Sequence, residues 1–287
     1  DPGIPEGFKF IAMTNTMFLL LPSLLTAFTV VASIEHGARQ RGGTGYLGWV
    51  GALPWRKPAF TGMALAGIMF AAGGFSGMIN AGMNINYLVH NTIWIPGHFH
   101  LTVGTAVALT FMAGTYWLLP QLTGREIFSE RLGLTQVVLW FVGMTFMSNA
   151  MHRAGLAGIP RRTADPTYTG FVFETPLGAI SELRAQIALG GTLLFISAMV
   201  FLLIVILSWM DRGQPAATHE PLPAPLSGAE HSPPILDNLK LWTGIAVALV
   251  ILAYTLPFVA IVSDGGLLGD GIRASAQIIG PLLGVGP

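Results

Sequence analysis

His90-Asn91-Thr92-Ile93-Trp94-Ile95-Pro96-Gly97-His98-Phe99-His100 opens a run that contains no Lys, Arg, Asp or Glu as far as Leu119. Crossing the hydrocarbon core of a bilayer takes roughly 20 predominantly apolar residues in a helix. Residues 92–119 therefore read as a spanning helix, and this one carries two imidazoles inside it. Working outward, residues 10–33, 59–79, 132–151, 187–210 and 241–262 meet the same criterion without a charged side chain. The expected fold is all-α: a polytopic membrane helix bundle of about six transmembrane helices, forming one membrane domain over residues 1–287.

Composition agrees. Of the 287 residues 52% are hydrophobic and only 10% charged, whereas a soluble domain carries about a quarter charged residues. The formal net charge is zero, which argues against nucleic acid as a partner, because binding phosphates takes a surplus of Lys and Arg. No cysteine is present, so thiolate metal sites, iron–sulfur clusters and disulfides are excluded from this chain. Residues 211–238 hold six prolines and read as an exposed linker. The start at Asp1-Pro2-Gly3 reads as a loop within a longer polypeptide.

Positive charge gives a weak orientation. Eight basic residues (Arg39, Arg41, Arg56, Lys57, Arg125, Arg131, Arg212 and Lys240) follow odd-numbered spans. Six (Lys9, Arg153, Arg161, Arg162, Arg184 and Arg273) fall on the other side. The side with more positive charge is expected to face the cytoplasm.

An ionisable group inside a membrane is costly and needs a reason. A lone His near a helix end is most simply a hydrogen-bonded side chain. Two, in an otherwise uncharged span, favour ligands. On a helix, residues two apart point about 200° apart, so His98 and His100 do not share one ion. They suit two centres, one on either side, and imidazole is an axial ligand of haem iron. Arg161 and Arg162 follow Pro160 at the same end. They read either as membrane-flanking charges or as anchors for haem propionates, which are carboxylates that guanidinium groups bind in pairs. His90 and Asn91 could bond a propionate or interfacial water, though a solvated loop accounts for them nearly as well. Ser23, Thr26 and Thr29 lie along one face of the first span. They could relay protons or simply bond their own backbone. Gly62, Gly67, Gly73, Gly74 and Gly77 read as close helix packing. His36, His219 and His231 read as solvated, and His152 either as solvated or as a group behind the propionate loop.

The run from His90 to His100 resembles the haem-ligand helix of haem-copper oxygen reductase subunit I, and Pro160-Arg161-Arg162 resembles that family's propionate loop. Residues 22–29, Pro-Ser-Leu-Leu-Thr-Ala-Phe-Thr, and 116–120, Tyr-Trp-Leu-Leu-Pro, are most similar to the ba-type, or B-family, cytochrome c oxidases. The resemblance covers nearly the whole chain. It implies that His98 is the proximal ligand of a high-spin haem of a or o type, and that His100 is an axial ligand of a low-spin haem of b or a type. It further implies propionate binding by Arg161 and Arg162, a proton-exit region around His90 and Asn91, and a proton-input path through Ser23 and Thr26. The implied activity is reduction of oxygen to water with electrons from cytochrome c, coupled to proton pumping, in a prokaryotic plasma membrane. The implied partners are the N-terminal half of subunit I and a subunit II carrying a dinuclear copper centre.

Two departures are visible. The family's catalytic copper needs histidines that have no counterpart here, so the chain resembles the C-terminal half of the subunit and is expected to be inactive alone. Asn86 stands where the family usually has an Asp near a propionate. Two rivals remain. A nitric oxide reductase of the same superfamily would differ in a metal site outside this chain. A proton-coupled transporter would show repeat symmetry or paired broken helices, and neither is evident in the sequence.

Overall fold

A computed structural model of the chain describes residues 3–162, 174–175, 178–212 and 233–263. His219, His231, Arg273, most of the expected linker and the tail after Ser263 lie outside the described residues. The chain divides into two compact units, residues 1–220 and 221–287.

The first unit begins with α1 (Glu6–Phe18) and α2 (Leu20–Gln40). Together they make one apolar stretch, Glu6–Gln40, that is interrupted at Leu19. Pro22 has no N–H to offer the preceding turn, which is sufficient cause for the break. Next come α3 (Pro58–Ala81), short α4 (Met83–Val89) and α5 (Trp94–Phe99). A π-helical segment, His100–Val107, follows α5 without a gap and leads into α6 (Ala108–Thr123). The 92–119 run is thus one continuous rod, Trp94–Thr123, with a widened middle. Gly124, at φ 70°, ends it in the left-handed conformation open to glycine.

Helix α7 spans Glu130–Leu156, and the Ser129 side chain accepts from the Leu132 N–H to cap it. Two-residue strands β1 (Glu174–Thr175) and β2 (Gly178–Ala179) pair antiparallel before α8, Ile180–Leu207. Among the described residues, five helical stretches are long and apolar enough to cross a membrane. The sixth expected span falls in α9, Leu239–Ser263, which belongs to the second unit. The expectation of a multi-pass, all-α membrane protein holds.

Small residues set the packing, as expected where lipid removes the hydrophobic drive between helices. A Cβ on Gly62 would stand 2.8 Å from the Ala113 methyl, and one on Gly73 would stand 2.5 Å from Thr102. These two, with Gly77, form the stripe of α3 that meets the third span. Gly67 and Gly74 face open space instead, so the packing reading holds for three of the five glycines. Helices α7 and α8 cross where a Cβ on Gly190 would lie 2.6 Å from the Gly143 carbonyl oxygen. By contrast α2 buries only Ala38.

A polar clasp ties α6, α7 and α8 together in this interior. The Tyr116 hydroxyl donates to Gln136 Oε1 at 2.9 Å, and Gln136 Nε2 donates to Ser197 Oγ at 3.0 Å. Ser197 Oγ in turn donates to the Gln136 carbonyl at 2.7 Å. All three residues are buried. Tyr116→Phe strands the Gln136 oxygen and is expected to destabilise the bundle by about 1 kcal/mol. An unchanged midpoint in detergent-induced unfolding would contradict this.

At the start of α3, outside the spans, Lys57 Nζ donates to Glu130 Oε1. That bond raises the lysine pKa against the opposing effect of partial burial. Because the folded pKa exceeds the unfolded one, the stabilisation is complete below the ordinary lysine value and fades as pH rises through the raised one. The pair is largely exposed, so its worth is at most about 1 kcal/mol. Lys57→Met is expected to lower stability by up to about 1 kcal/mol at neutral pH and to leave the strongly alkaline region nearly unchanged, so the alkaline limb of a stability–pH profile flattens.

Candidate functional site

His98 sits on α5, opposite the glycine stripe of α3. Its Nδ1 lies 2.9 Å from Ser76 Oγ, and that hydroxyl donates its single hydrogen to the Gly73 carbonyl at 2.9 Å. With that hydrogen on the Gly73 carbonyl, Ser76 accepts at the imidazole and Nδ1 carries the proton. The ring has room because residue 77 is glycine: a Cβ there would be 3.1 Å from His98 Cε1. His100, at the first π-helical position, has Nδ1 at 2.6 Å from the Pro96 carbonyl oxygen, which can only accept. Both rings are thus held as the Nδ1–H tautomer, and each Nε2 lacks a hydrogen-bond partner among the described residues. A metal-bound imidazole is fixed in the same way, by donating its other N–H to a carbonyl or hydroxyl.

The π-helical segment begins at the second of these histidines. Such wide turns recur at functional sites. Here the Gly104 carbonyl accepts from the Trp140 indole N–H at 3.0 Å. Among the described residues no group of three or more His, Cys, Asp or Glu could hold an ion. The two histidines are single donors, which fits a metal that brings its other ligands with it, as iron does in haem.

Above α5 the chain crosses itself. Thr92 and Pro160 form an isolated antiparallel bridge, Ile93 N–H donates to the Ile159 carbonyl at 2.9 Å, and Arg161 N–H donates to the Asn91 carbonyl at 3.0 Å. Arg161 Nη2 also reaches Asn91 Oδ1 at 3.1 Å, while Arg161 Nε is buried with no partner. Asn91 and Arg162 both hold positive φ, 59° and 60°. That conformation is uncommon for residues other than glycine, and such strain clusters at binding sites. A buried guanidinium N–H without an acceptor fits a carboxylate ligand such as a propionate. Arg162 is exposed.

His90, also exposed, lines an open polar cleft of about 930 Å³ with Glu6, Lys9, Asn80, Asn86 and Asn91. Asn86 Nδ2 donates to the Asn80 carbonyl at 2.6 Å. The structure brings together His98, His100, Asn91 and Arg161 around α5. Ser23 and Thr26 lie elsewhere, on the exposed α2, and donate to the carbonyls of Leu19 and Pro22 at 2.8 and 2.9 Å.

Ser76 and Ser148 went unnoticed in the sequence. Ser76 could have been found as the polar residue between Gly73 and Gly77 on the packing stripe. Ser148 Oγ donates to the Gly97 carbonyl at 2.9 Å, and His152 lies one turn further along the same helix. His152 is inside α7 and not in a loop, because the helix outlasts its apolar run.

The sequence profile of the family described as cytochrome c and quinol oxidase polypeptide I matches residues 1–193. A cytochrome c oxidase subunit 1 from Thermus thermophilus is 42% identical over 262 residues, covering 88% of this chain and 46% of that protein. Another Thermus thermophilus sequence of the same name is 51% identical over 106 residues, covering 36% of this chain. The solved structure of a haem-copper terminal oxidase dimer superposes with a TM-score of 0.64 at 32% identity, over 89% of this chain and 45% of that one. The chain spans about half the length of the long relatives it matches.

Proposed function

The chain belongs to the cytochrome c and quinol oxidase polypeptide I family, and from that premise we propose that it supplies the haem-holding helix of a terminal oxidase in a prokaryotic plasma membrane. That oxidase reduces oxygen to water with electrons from cytochrome c and couples this to proton pumping. The observation that carries the reading is the pair His98 and His100, each with Nδ1–H committed to a hydroxyl or carbonyl and Nε2 left over.

When bound, haem supplies the oxygen-binding iron and the electron entry. His98 holds the high-spin haem and His100 the low-spin haem. Hydrogen bonds at both Nδ1 atoms fix each tautomer and ring orientation before any ligand arrives, and they raise the basicity of Nε2. Arg161, steadied by Asn91, offers its buried Nε–H to a propionate, with the exposed Arg162 beside it. The polar cleft at His90 and Asn91 is the side from which protons leave. Ser23 and Thr26 carry protons inward along the exposed face of α2, where the rest of the subunit completes the path. Copper, the N-terminal half of the subunit and a copper-bearing subunit II complete the enzyme, and this chain alone is inactive.

His100→Ala in the assembled oxidase tests the reading. Haem content by pyridine haemochrome is expected to fall by half, with loss of the low-spin bands. Full retention of both haems would overturn the assignment.

A further inference from the structure

Helix α5 is the six-residue leading end of the rod Trp94–Thr123, set off from α6 by the π-helical turns. The direction of His98 therefore depends in part on what packs against that end. On the side of α7 the packing group is His152. Its ring meets the Trp94 ring edge to face, with centroids 4.4 Å apart and planes at 86°. A Cβ on Gly97 would lie 3.0 Å from His152 Nδ1 and 3.1 Å from Cε1, so the ring fits only because that residue is glycine.

The imidazole is also tied to the backbone beside His98. His152 Nδ1 is 2.7 Å from the Ser148 carbonyl oxygen and 3.2 Å from Ser148 Oγ. That same hydroxyl donates to the carbonyl of Gly97, the residue directly before His98. With the proton on Nδ1, Nε2 is an acceptor. It is buried without a partner, and so is the donor Trp94 Nε1 in the ring it touches. An apolar ring would fill this space without stranding a nitrogen, so bulk alone does not account for a histidine here.

We infer that His152 is a positioning residue for His98. Wedged between Trp94 and Gly97 and tied through Ser148 to the Gly97 carbonyl, it sets the rotation of α5 and so the direction of the His98 Nε2 lone pair. This rests on the reading of His98 as a haem ligand. Ser76 holds the imidazole at Nδ1 from the α3 side, and His152 holds the backbone that carries it from the α7 side.

The test is resonance Raman spectroscopy of the reduced, assembled oxidase. His152→Ala is expected to shift and broaden the iron–histidine stretching band of the high-spin haem, with haem content and the low-spin bands unchanged. His152→Asn keeps an N–H for the Ser148 carbonyl and is expected to restore much of the band. If His152→Ala fails to assemble, Ser148→Ala removes the hydroxyl that lies between Gly97 and His152, keeps the Ser148 carbonyl contact to the ring, and is expected to shift the band in the same direction by less. An unchanged band in the alanine variant that assembles, or equal disturbance of both haems, would overturn the inference. His98→Ala separates the two levels: survival of the high-spin haem there would refute the ligand assignment itself.

Discussion

His98→Ala in the assembled oxidase is expected to abolish the high-spin haem signal and to lower oxygen consumption by more than about 100-fold. Even partners that only orient a metal ligand cost 10–100-fold when removed, and His98 is the ligand itself in the proposed site. The substitution also leaves the Ser76 hydroxyl without the imidazole it holds at 2.9 Å. Ser76 keeps its bond to the Gly73 carbonyl, so the helix packing of α3 should persist and the loss should be local. Oxygen-electrode rates with reduced cytochrome c, together with optical spectra, check this. Normal turnover in His98→Ala would rule out the proposed role.

Gly155→Ala is expected to be the most damaging change that removes no chemical group. A Cβ there would stand 2.3 Å from the Trp94 backbone nitrogen, 2.5 Å from its Cβ and 2.6 Å from its Cα. Two of these atoms are backbone, so no rotamer change relieves the clash, and α5 must move away from α7. Overpacking usually costs about 1–3 kcal/mol and occasionally more, and here about 3 kcal/mol or more is expected. The displaced segment also carries the Thr92–Pro160 bridge and the Ile93–Ile159 bond. His98 and the loop proposed to bind a propionate are thus disturbed together, and haem content should fall along with stability. Gly67→Ala is the control. Its Cβ meets nothing within 4 Å, and alanine is the better helix former by about 1 kcal/mol. A Gly155→Ala protein as stable and as haem-loaded as Gly67→Ala would contradict the close approach.

The helical bundle was legible because charge-free runs of spanning length have few alternatives in a bilayer. The two histidines were legible because those runs contain no Lys, Arg, Asp or Glu and no other His. Helix ends were less so: α7 continues through His152, Arg153 and on to Leu156, since hydrogen bonding and a basic last turn extend a helix beyond its apolar part. The break at Leu19 and the π-helical segment after Phe99 depend on single residues and on neighbours such as Trp140, which carry no periodic signal. Asn91 and Arg161 were each candidates for a propionate, and their mutual hydrogen bond could not be read from residues seventy positions apart.

The sequence by itself determined that this is a membrane helix bundle and that His98 and His100 face opposite sides of one helix. Both follow from local rules, the length of an apolar run and the angle per residue. Only the tertiary structure decided how those imidazoles are held: Ser76 on α3 against His98, the Pro96 carbonyl against His100, and Ser148 with His152 on α7 behind Gly97. The Pro96 and His152–Ser148 contacts are local, whereas the Ser76–His98 and Ser148–Gly97 bonds join different helices. They exist because glycines at 73, 77, 97 and 155 let backbones and rings approach where any side chain would keep them apart.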